Sequence, residues 1–270
     1  MKTRNQILVS REEKSMRASG FVLSGLITLT SAALIYHRAQ PSVKTQMVQY
    51  KSGDEIVSGF LTLPEGKGPF PAIIVIHEWW GLNEWVKENA KKFADDGYMT
   101  LAIDLYRGQV ATDQEAAHEL MRGLPEDRAT RDLQAAFAYL VSRQDVQHDK
   151  IGSLGWCLGG GYSLQAALSI PELAACVINY GRLVTDGELI DKINAPILGI
   201  FGGKDRGIPV KDIEAFKAAC NKAGKNISVQ IYPRSGYDFM NETNAKGYNA
   251  KDAQNAWEKT FAFLKKNLKK

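Results

Sequence analysis

Cys157 lies in a segment whose residue types and spacing suit a nucleophile held on a tight turn. The apolar run 151–154 leads into Gly155-Trp156-Cys157-Leu158-Gly159, and a helix-compatible stretch follows directly. Glycine two positions before and after the cysteine relieves the collision that bulky side chains would make across such a bend. A helix beginning there would aim backbone N–H groups at the thiol, which favours thiolate and can hold an oxyanion. The pattern predicts a nucleophile elbow, and a nucleophilic hydrolase is the leading interpretation.

The opposing interpretation is that Cys157 is a small apolar core residue and that the glycines only let strand and helix approach each other. Three cysteines at wide spacing, without a C-x-x-C pair, indicate neither a disulfide framework nor a zinc site. We expect Cys176 and Cys220 in the core. The surroundings of Cys157 must therefore decide between the two interpretations.

The elements that would position Cys157 alternate between strand and helix. Two alternating segments, 47–51 and 57–63, predict an antiparallel hairpin at a sheet edge. Apolar runs without alternation, typical of strands covered on both faces, occupy 72–76, 99–103, 151–154, 175–178 and 197–201, with one further strand at 228–232. Helix-period segments occupy 84–95, 113–121, 126–141, 160–170, 210–223 and 252–268. This order predicts an α/β fold with a mostly parallel central sheet, helices on both faces and an N-terminal antiparallel edge hairpin.

Reactive side chains follow three of the predicted strands, at the carboxyl ends where open α/β sheets gather their functional groups. His77-Glu78 follows one strand, Cys157 another and Asp205 a later one. A nucleophile followed by an acid is the chain order of a hydrolase triad in this topology, and the histidine should follow the last strand. His77 and Glu78 predict no metal site, because neighbours at a strand end point to opposite sides and no H-E-x-x-H spacing exists.

The first 40 residues differ in composition from the rest and predict a signal peptide or a membrane anchor. Residues 18–36 carry no charge and follow several Lys and Arg side chains. A span of 19 uncharged residues can just cross a bilayer, while Ser31-Ala32-Ala33 also suits cleavage after Ala33. The third possibility, a buried helix, is disfavoured because no polar face is present. We expect residues 41–270 to form one domain that lies outside the cytoplasm.

The charge of that domain excludes one class of partner. Residues 1–40 carry six basic and two acidic side chains, so the remainder is balanced at 28 against 28. A balanced surface without a basic stripe gives no support for nucleic-acid binding. We expect a monomer that binds a small molecule and meets the membrane only through an uncleaved N-terminal segment.

Several stretches together resemble the dienelactone hydrolase family, within the α/β-hydrolase fold. The likeness spans about residue 46 to the C-terminus and is carried by His77-Glu78-Trp79-Trp80-Gly81-Leu82, Ala102-Ile103-Asp104-Leu105-Tyr106, Gly155-Trp156-Cys157-Leu158-Gly159-Gly160, Asp205 and Asn249-Ala250-Lys251-Asp252-Ala253-Gln254-Asn255-Ala256-Trp257. The resemblance implies that Cys157 is the nucleophile, Asp205 the triad acid and Glu78 a carboxylate that manages the thiol proton. It also implies that the backbone amides of Trp79 and Leu158 form the oxyanion hole, and it implies no metal or organic cofactor.

The chain departs from the family pattern where the triad histidine is expected. The family carries Gly-His-x-Phe after the last strand, whereas this chain reads Ser235-Gly236-Tyr237-Asp238-Phe239 and has no histidine after Asp205. Tyrosine, with a pKa of about 10, is ionised at neutral pH in only about one molecule in a thousand, so Tyr237 is a poor general base. We expect Cys157 to be acylated and the resulting thioester to be hydrolysed slowly.

A second departure concerns the substrate. Family members that act on dienelactone carboxylates carry an arginine where this chain has Asn241, so the resemblance does not extend to carboxylate recognition. Trp80 and Tyr106 could line an apolar pocket or belong to the core.

Three functions remain open from the sequence. The leading one is a carboxylic-ester or lactone hydrolase with a Cys nucleophile and altered turnover. The second is a catalytically retired hydrolase fold that acts as a membrane-tethered binding protein, and the third is a different reaction in which the phenol of Tyr237 acts as an acid. Retention of Cys157 and Glu78 favours the first.

Overall fold

The computed structural model describes residues 43–269, and these form one eight-stranded sheet flanked by helices. The strands are β1 Lys44–Ser52, β2 Glu55–Leu63, β3 Phe70–Ile76, β4 Met99–Ile103, β5 Val146–Trp156, β6 Ala175–Asn179, β7 Ile197–Gly202 and β8 Ile227–Tyr232. The helices are α1 Glu84–Asp95, α2 Gln114–Arg122, α3 Glu126–Val141, α4 Leu158–Ser169, α5 Gly187–Ile190, α6 Val210–Lys222 and α7 Ala250–Leu268.

The strand order is β1-β2-β4-β3-β5-β6-β7-β8. β1 and β2 pair antiparallel around a tight turn in which Ser52 faces Glu55, and β2 also runs antiparallel to β4. Every remaining pair is parallel. The predicted α/β class, with an antiparallel hairpin at one edge of a mostly parallel sheet, is confirmed.

Helices cover both faces of the sheet because the central strands are apolar on both faces. Along β3, Ile74 and Ile76 pack into one core together with residues of α3, α4 and α6. Ile73 and Val75 point the other way, into a second core shared with α1 and α7. Alternate residues of one strand thus enter opposite cores, which explains why the strand sequences show no polar alternation.

The boundaries of a few elements differ from the sequence prediction. β5 begins at Val146, several residues before the predicted start, because Val146 pairs with Phe70 of β3 beyond a bulge. α4 begins at Leu158, immediately after Cys157, and the four-residue helix α5 was not predicted. Short helices such as α5 carry too few residues for a helical period to appear in the sequence.

Asp132 of α3 anchors the edge hairpin to the body of the fold. Its buried carboxylate accepts a hydrogen bond from Ser52 Oγ at 2.5 Å and forms an ion pair with Arg107, with 2.6 Å between Nη1 and Oδ2. Arg107 follows β4 and also pairs with Glu55 of β2 at 2.7 Å. One carboxylate therefore joins the hairpin, the loop after β4 and helix α3.

The predicted signal peptide or membrane anchor, residues 1–40, lies outside the described residues. Within residues 43–269, no helix has the length and apolar character needed to cross a bilayer.

Candidate active site

Cys157 occupies the turn between β5 and α4 with φ 57° and ψ −119°, a left-handed backbone that few residues other than glycine adopt. The glycines around it are required by close backbone packing. A Cβ at Gly155 would lie 2.1 Å from the carbonyl oxygen of Gly159, and a Cβ at Gly159 would lie 2.2 Å from that of Ile76. The segment therefore has the strained strand-turn-helix geometry of a nucleophile elbow.

Two backbone amides converge on the sulfur of Cys157. The N–H groups of Leu158, at the start of α4, and of Trp79, just after β3, act on Sγ and lower the pKa of the thiol. Donors placed this way can stabilise negative charge that develops on an oxygen beside the sulfur. These are the two amides that the family resemblance implies for the oxyanion hole.

Other features of the site hold the proton on the thiol. Burial raises the pKa of Cys157 to about 12, and the negative charge of Glu78 acts in the same direction. These effects outweigh the helix terminus and the two amides. Cys157 is therefore a neutral thiol at pH 7, whereas the sequence analysis expected the helix start to favour the thiolate.

Tyr237 lies on the loop 233–249, between β8 and α7, and its hydroxyl donates a hydrogen bond to Sγ of Cys157. Its ring packs edge-on against Tyr180, with 5.6 Å between the ring centroids, while 41% of the residue remains exposed. Burial of the hydroxyl and the neighbouring sulfur raise the pKa of Tyr237 above its ordinary value of 10. The phenol keeps its proton at neutral pH, in agreement with the expectation that it is a poor base.

Glu78 directly follows β3 and is buried, with 2% of the residue exposed. Its Oε2 accepts a hydrogen bond from Nδ2 of Asn241 at 3.0 Å. Burial, followed by the charge of Asp238, raises the pKa of Glu78 well above its ordinary value. Asp238 was not among the residues singled out from the sequence, and its position next to Tyr237 is the signal that could have indicated it.

Asp205 lies in the loop after β7, as the triad order predicts, but it does not bond to Tyr237. Its Oδ1 accepts hydrogen bonds from the backbone N–H groups of Gly207 at 2.8 Å and Ile208 at 3.1 Å. Its buried Oδ2 has no hydrogen-bond partner among the described residues. The loop that carries Asp205 nonetheless contacts the loop that carries Tyr237, since the N–H of Lys204 donates to the carbonyl oxygen of Ser235 at 2.9 Å.

His77 has a structural role. Its Nδ1 donates to the carbonyl oxygen of Glu78 at 2.5 Å, and its Nε2 accepts from the N–H of Leu105 at 3.2 Å, which fixes the neutral tautomer. Burial lowers the pKa of His77. His118 lies on α2 with its ring against Trp79, and His148 is exposed and bonds to a backbone carbonyl. None of the three contacts Cys157. Within residues 43–269, no three His, Cys, Asp or Glu side chains are grouped as a metal would require.

A cavity of about 610 Å³ opens beside Cys157. Apolar walls come from Leu158, Leu168, Val184 and Leu189. The charged lining residues are Arg182, Lys192 and Glu126.

Trp80, Tyr106 and Asn241, which we expected in the substrate pocket, make contacts with other residues near the site. Trp80 packs against Trp79 with 4.9 Å between ring centroids, and buried Tyr106 packs on His77. Asn241 bonds to Glu78. None of the three is among the residues that line the cavity beside Cys157, although Tyr106 lines a second cavity, so their place in a substrate pocket stays a prediction.

Comparison with known proteins matches this chain to one family of hydrolases. The family model described as dienelactone hydrolase family matches residues 57–268. A protein of Methylorubrum extorquens, provisionally named a carboxymethylenebutenolidase, is 33% identical over 220 residues, which cover 76% of this chain and 75% of that protein. A dienelactone hydrolase structure from Anabaena variabilis is 25% identical, with a TM-score of 0.61 and coverage of 83% and 99%. A Klebsiella pneumoniae structure, also provisionally named a dienelactone hydrolase, is 25% identical, with a TM-score of 0.76 and coverage of 83% and 98%.

The fold and the elbow define a hydrolase of the α/β-hydrolase class. With the family model matching most of its length, the chain belongs to the dienelactone hydrolase family.

Proposed function

We propose that this protein cleaves carboxylic-ester or lactone bonds through Cys157 and releases the acyl group slowly. The observation that carries the proposal is the thiol held on the elbow with the amides of Trp79 and Leu158 directed at its sulfur. Carboxymethylenebutenolidase, the name given to relatives about 30% identical, denotes an enzyme that opens a lactone. The retained nucleophile and amide pair suit the same bond class.

The acylation step needs a transient base and hydrogen-bond donors that stabilise the oxyanion. The thiol proton of Cys157 moves to the carboxylate of Glu78 as sulfur attacks the carbonyl carbon, and the amides hold the oxyanion. When the tetrahedral intermediate collapses, the carbon–oxygen bond breaks and the proton on Glu78 passes to the departing alkoxide. An acyl thioester on Cys157 and a free alcohol result.

Release of the acyl group is the slow step. A water molecule must lose a proton as it attacks the thioester, and the imidazole that would take this proton is replaced by Tyr237. Because the phenol holds its own proton at neutral pH, it cannot accept another. The acyl-enzyme therefore accumulates.

The cavity beside Cys157 suits the acyl group of a small-molecule substrate. Its leucine and valine walls match an alkyl or alkenyl chain. Arg182 and Lys192 outnumber the single acidic residue, Glu126, so the cavity also suits a chain that carries an anionic group. We expect the protein to act as a monomer on such small molecules and not on nucleic acid, since charge is balanced over residues 41–270.

Intact-protein mass spectrometry with p-nitrophenyl butyrate tests the proposal. Wild type should show a burst of one nitrophenol per protein and a stable butyryl adduct, which Cys157→Ala abolishes. Tyr237→His should raise the steady rate by roughly 10²- to 10⁴-fold, the usual contribution of a general base. The unpartnered Oδ2 of Asp205 is the group that could orient the new imidazole.

Tyr237→Phe is the matched control, because it removes the hydroxyl without supplying an imidazole and should not raise the steady rate. Undiminished multiple turnover by wild type without a burst would contradict slow deacylation. Absence of any adduct would favour the second candidate, a binding protein on a retired hydrolase fold, which the high pKa of Cys157 and the missing histidine support.

We propose further that the domain is exported or anchored to a membrane by its N-terminal segment. The uncharged stretch 18–36, preceded by basic residues, supports this location. Fractionation of cells that express the full chain, alongside a chain starting at residue 41, should place only the full chain outside the cytoplasm or in the membrane. Equal cytoplasmic recovery of both would contradict it.

A further inference from the structure

Asp238 is brought against Glu78 by the loop that follows β8. Its backbone has a φ of 60°, in the left-handed region that Asp and Asn tolerate better than most residues, and 8% of the residue is exposed. Glu78, 2% exposed, comes from the opposite side, at the end of β3. The two carboxyl groups lie within hydrogen-bonding reach of each other.

Two side-chain amides each donate to one oxygen of a carboxyl group in this pair. Asn241 donates to Oε2 of Glu78 at 3.0 Å, and Asn244 donates to Oδ2 of Asp238 at 2.9 Å. The other two oxygens, Oε1 of Glu78 and Oδ1 of Asp238, are buried and have no partner among the described residues. Two ionised carboxylates cannot satisfy each other, because neither carries a donor. A single proton between them satisfies both.

The charges around the pair disfavour a second ionisation. The other titratable groups that face it are Cys157, Tyr180 and Tyr237, which are neutral or become negative when they lose a proton. Two buried like charges in contact do not both remain ionised near neutral pH. Burial raises the pKa of Asp238 as well, although the hydrogen bonds from Glu78, Asn244, Tyr180 and Asn241 oppose this.

We infer that Glu78 and Asp238 share one proton, and that Asp238 thereby tunes Glu78 as the base for the thiol of Cys157 and for the deacylating water. Asp238 is a positioning residue, since it acts through Glu78. The inference rests on the proposed function for its catalytic part only.

Every proton that the Glu78–Asp238 pair accepts is returned within one reaction cycle. Above the raised pKa of Glu78 the pair has lost the shared proton. It takes the thiol proton as sulfur attacks, becomes singly protonated again and passes that proton to the departing alkoxide. In the second half the pair takes a proton from water as the thioester is attacked and returns it to the departing sulfur. The raised pKa makes Glu78 a stronger base than an ordinary carboxylate, which partly compensates for the missing imidazole.

The test is the pH dependence of the nitrophenol burst in wild type and in Asp238→Asn. Asn keeps the shape and tolerates the left-handed backbone, so the variant removes charge and proton sharing with little change in packing. In wild type the burst rate should rise with pH through the raised pKa of Glu78. In the variant the midpoint should fall by about one pH unit or more, because a like charge is gone, and the plateau rate should fall because the base is weaker.

A matched control uses an exposed carboxyl of the same loop. Glu242 bonds to Trp85 and Lys92 away from the pair, so Glu242→Gln should leave the midpoint unchanged. An Asp238→Asn midpoint equal to that of wild type would overturn the inference, because Asp238 would then exert no influence on the base.

A second readout does not depend on catalysis. The infrared carbonyl stretch of a protonated carboxylic acid should be present in wild type at pH 7, should disappear in Glu78→Gln and should titrate at lower pH in Asp238→Asn. If no ester reacts with any variant while the band behaves in this way, the proposed function fails and the shared proton stands. If wild type shows no such band at pH 7, the shared proton is refuted even where ester cleavage is observed.

Discussion

Three neutral acids meet at the sulfur of this site, namely the thiol of Cys157, the phenol of Tyr237 and the carboxyl of Glu78. Each holds its proton chiefly because burial penalises the ionised form. A resting site of this kind needs substrate to draw the thiol proton away. The low reactivity of the resting sulfur is thus built into its surroundings.

The raised pKa of Glu78 predicts a pH-dependent cost to stability. The carboxyl stabilises the fold fully below its unfolded pKa near 4.5, and this contribution is lost as pH rises through the folded-state value. Glu78→Gln cannot titrate, and its amide can donate to Oδ1 of Asp238. The melting temperature of the variant, relative to that of wild type, should therefore be higher at pH 9 than at pH 5. The difference in unfolding free energy should change by about 1.4 kcal/mol for each unit by which folding raises the pKa of Glu78. Calorimetry at both pH values measures this gain.

Glu214→Gln removes an exposed carboxyl on α6 and is the control for that measurement. Its melting temperature should differ from wild type by the same amount at both pH values. A Glu78→Gln difference that is equally constant with pH would contradict a buried neutral Glu78.

At the level of single residues, Cys157 and Glu78 could be singled out because they follow strands whose ends are visible in the sequence. The role of the Trp79 amide was implied by the family resemblance. Asp238 escaped prediction because its role depends on contact with Glu78, which follows a strand far away in the chain. Asp205 follows its strand as expected, yet its carboxylate turns to its own loop. No local pattern reports which way such a side chain points.

At the scale of elements, the turn between β5 and α4 depends on the absence of side chains at two glycines. Gly155→Ala would place Cβ 2.1 Å from a backbone oxygen that cannot move without displacing α4. The variant should lose about 3 kcal/mol or more of unfolding free energy in urea titration. Gly187→Ala, at the start of α5, meets nothing within 4 Å and should gain up to about 1 kcal/mol. Equal stability of the two variants would contradict this packing.

The kind and order of nearly all the elements could be predicted from their apolar period, since burial on both faces leaves a clear pattern in β3, β4, β6 and β7. The early start of β5 depends on a bulged pairing with β3, and that pairing is set by tertiary contact. The order of strands across the sheet depends likewise on which distant segments meet.

At the scale of the whole molecule, Asp132 holds three separate parts of the chain together. Asp132→Ala leaves Ser52 without its acceptor and Arg107 without a buried partner. We expect a loss of about 2–4 kcal/mol in unfolding free energy, since removal of one member leaves the other imperfectly paired. Glu88→Ala, which breaks an exposed pair with Lys91 inside α1, should cost less than about 0.5 kcal/mol. Similar losses in the two variants by urea titration would show that the hairpin is held in another way.

The high pKa of the Cys157 thiol also protects the sulfur from oxidation. Peroxide oxidises the thiolate form of cysteine, so a sulfur that keeps its proton is converted to sulfenic acid slowly. Cys176 and Cys220 are buried and free, so neither is placed to capture an oxidised Cys157 in a disulfide. Cys157 therefore stays reduced without a reductant, but its protonated sulfur reacts more slowly with substrate.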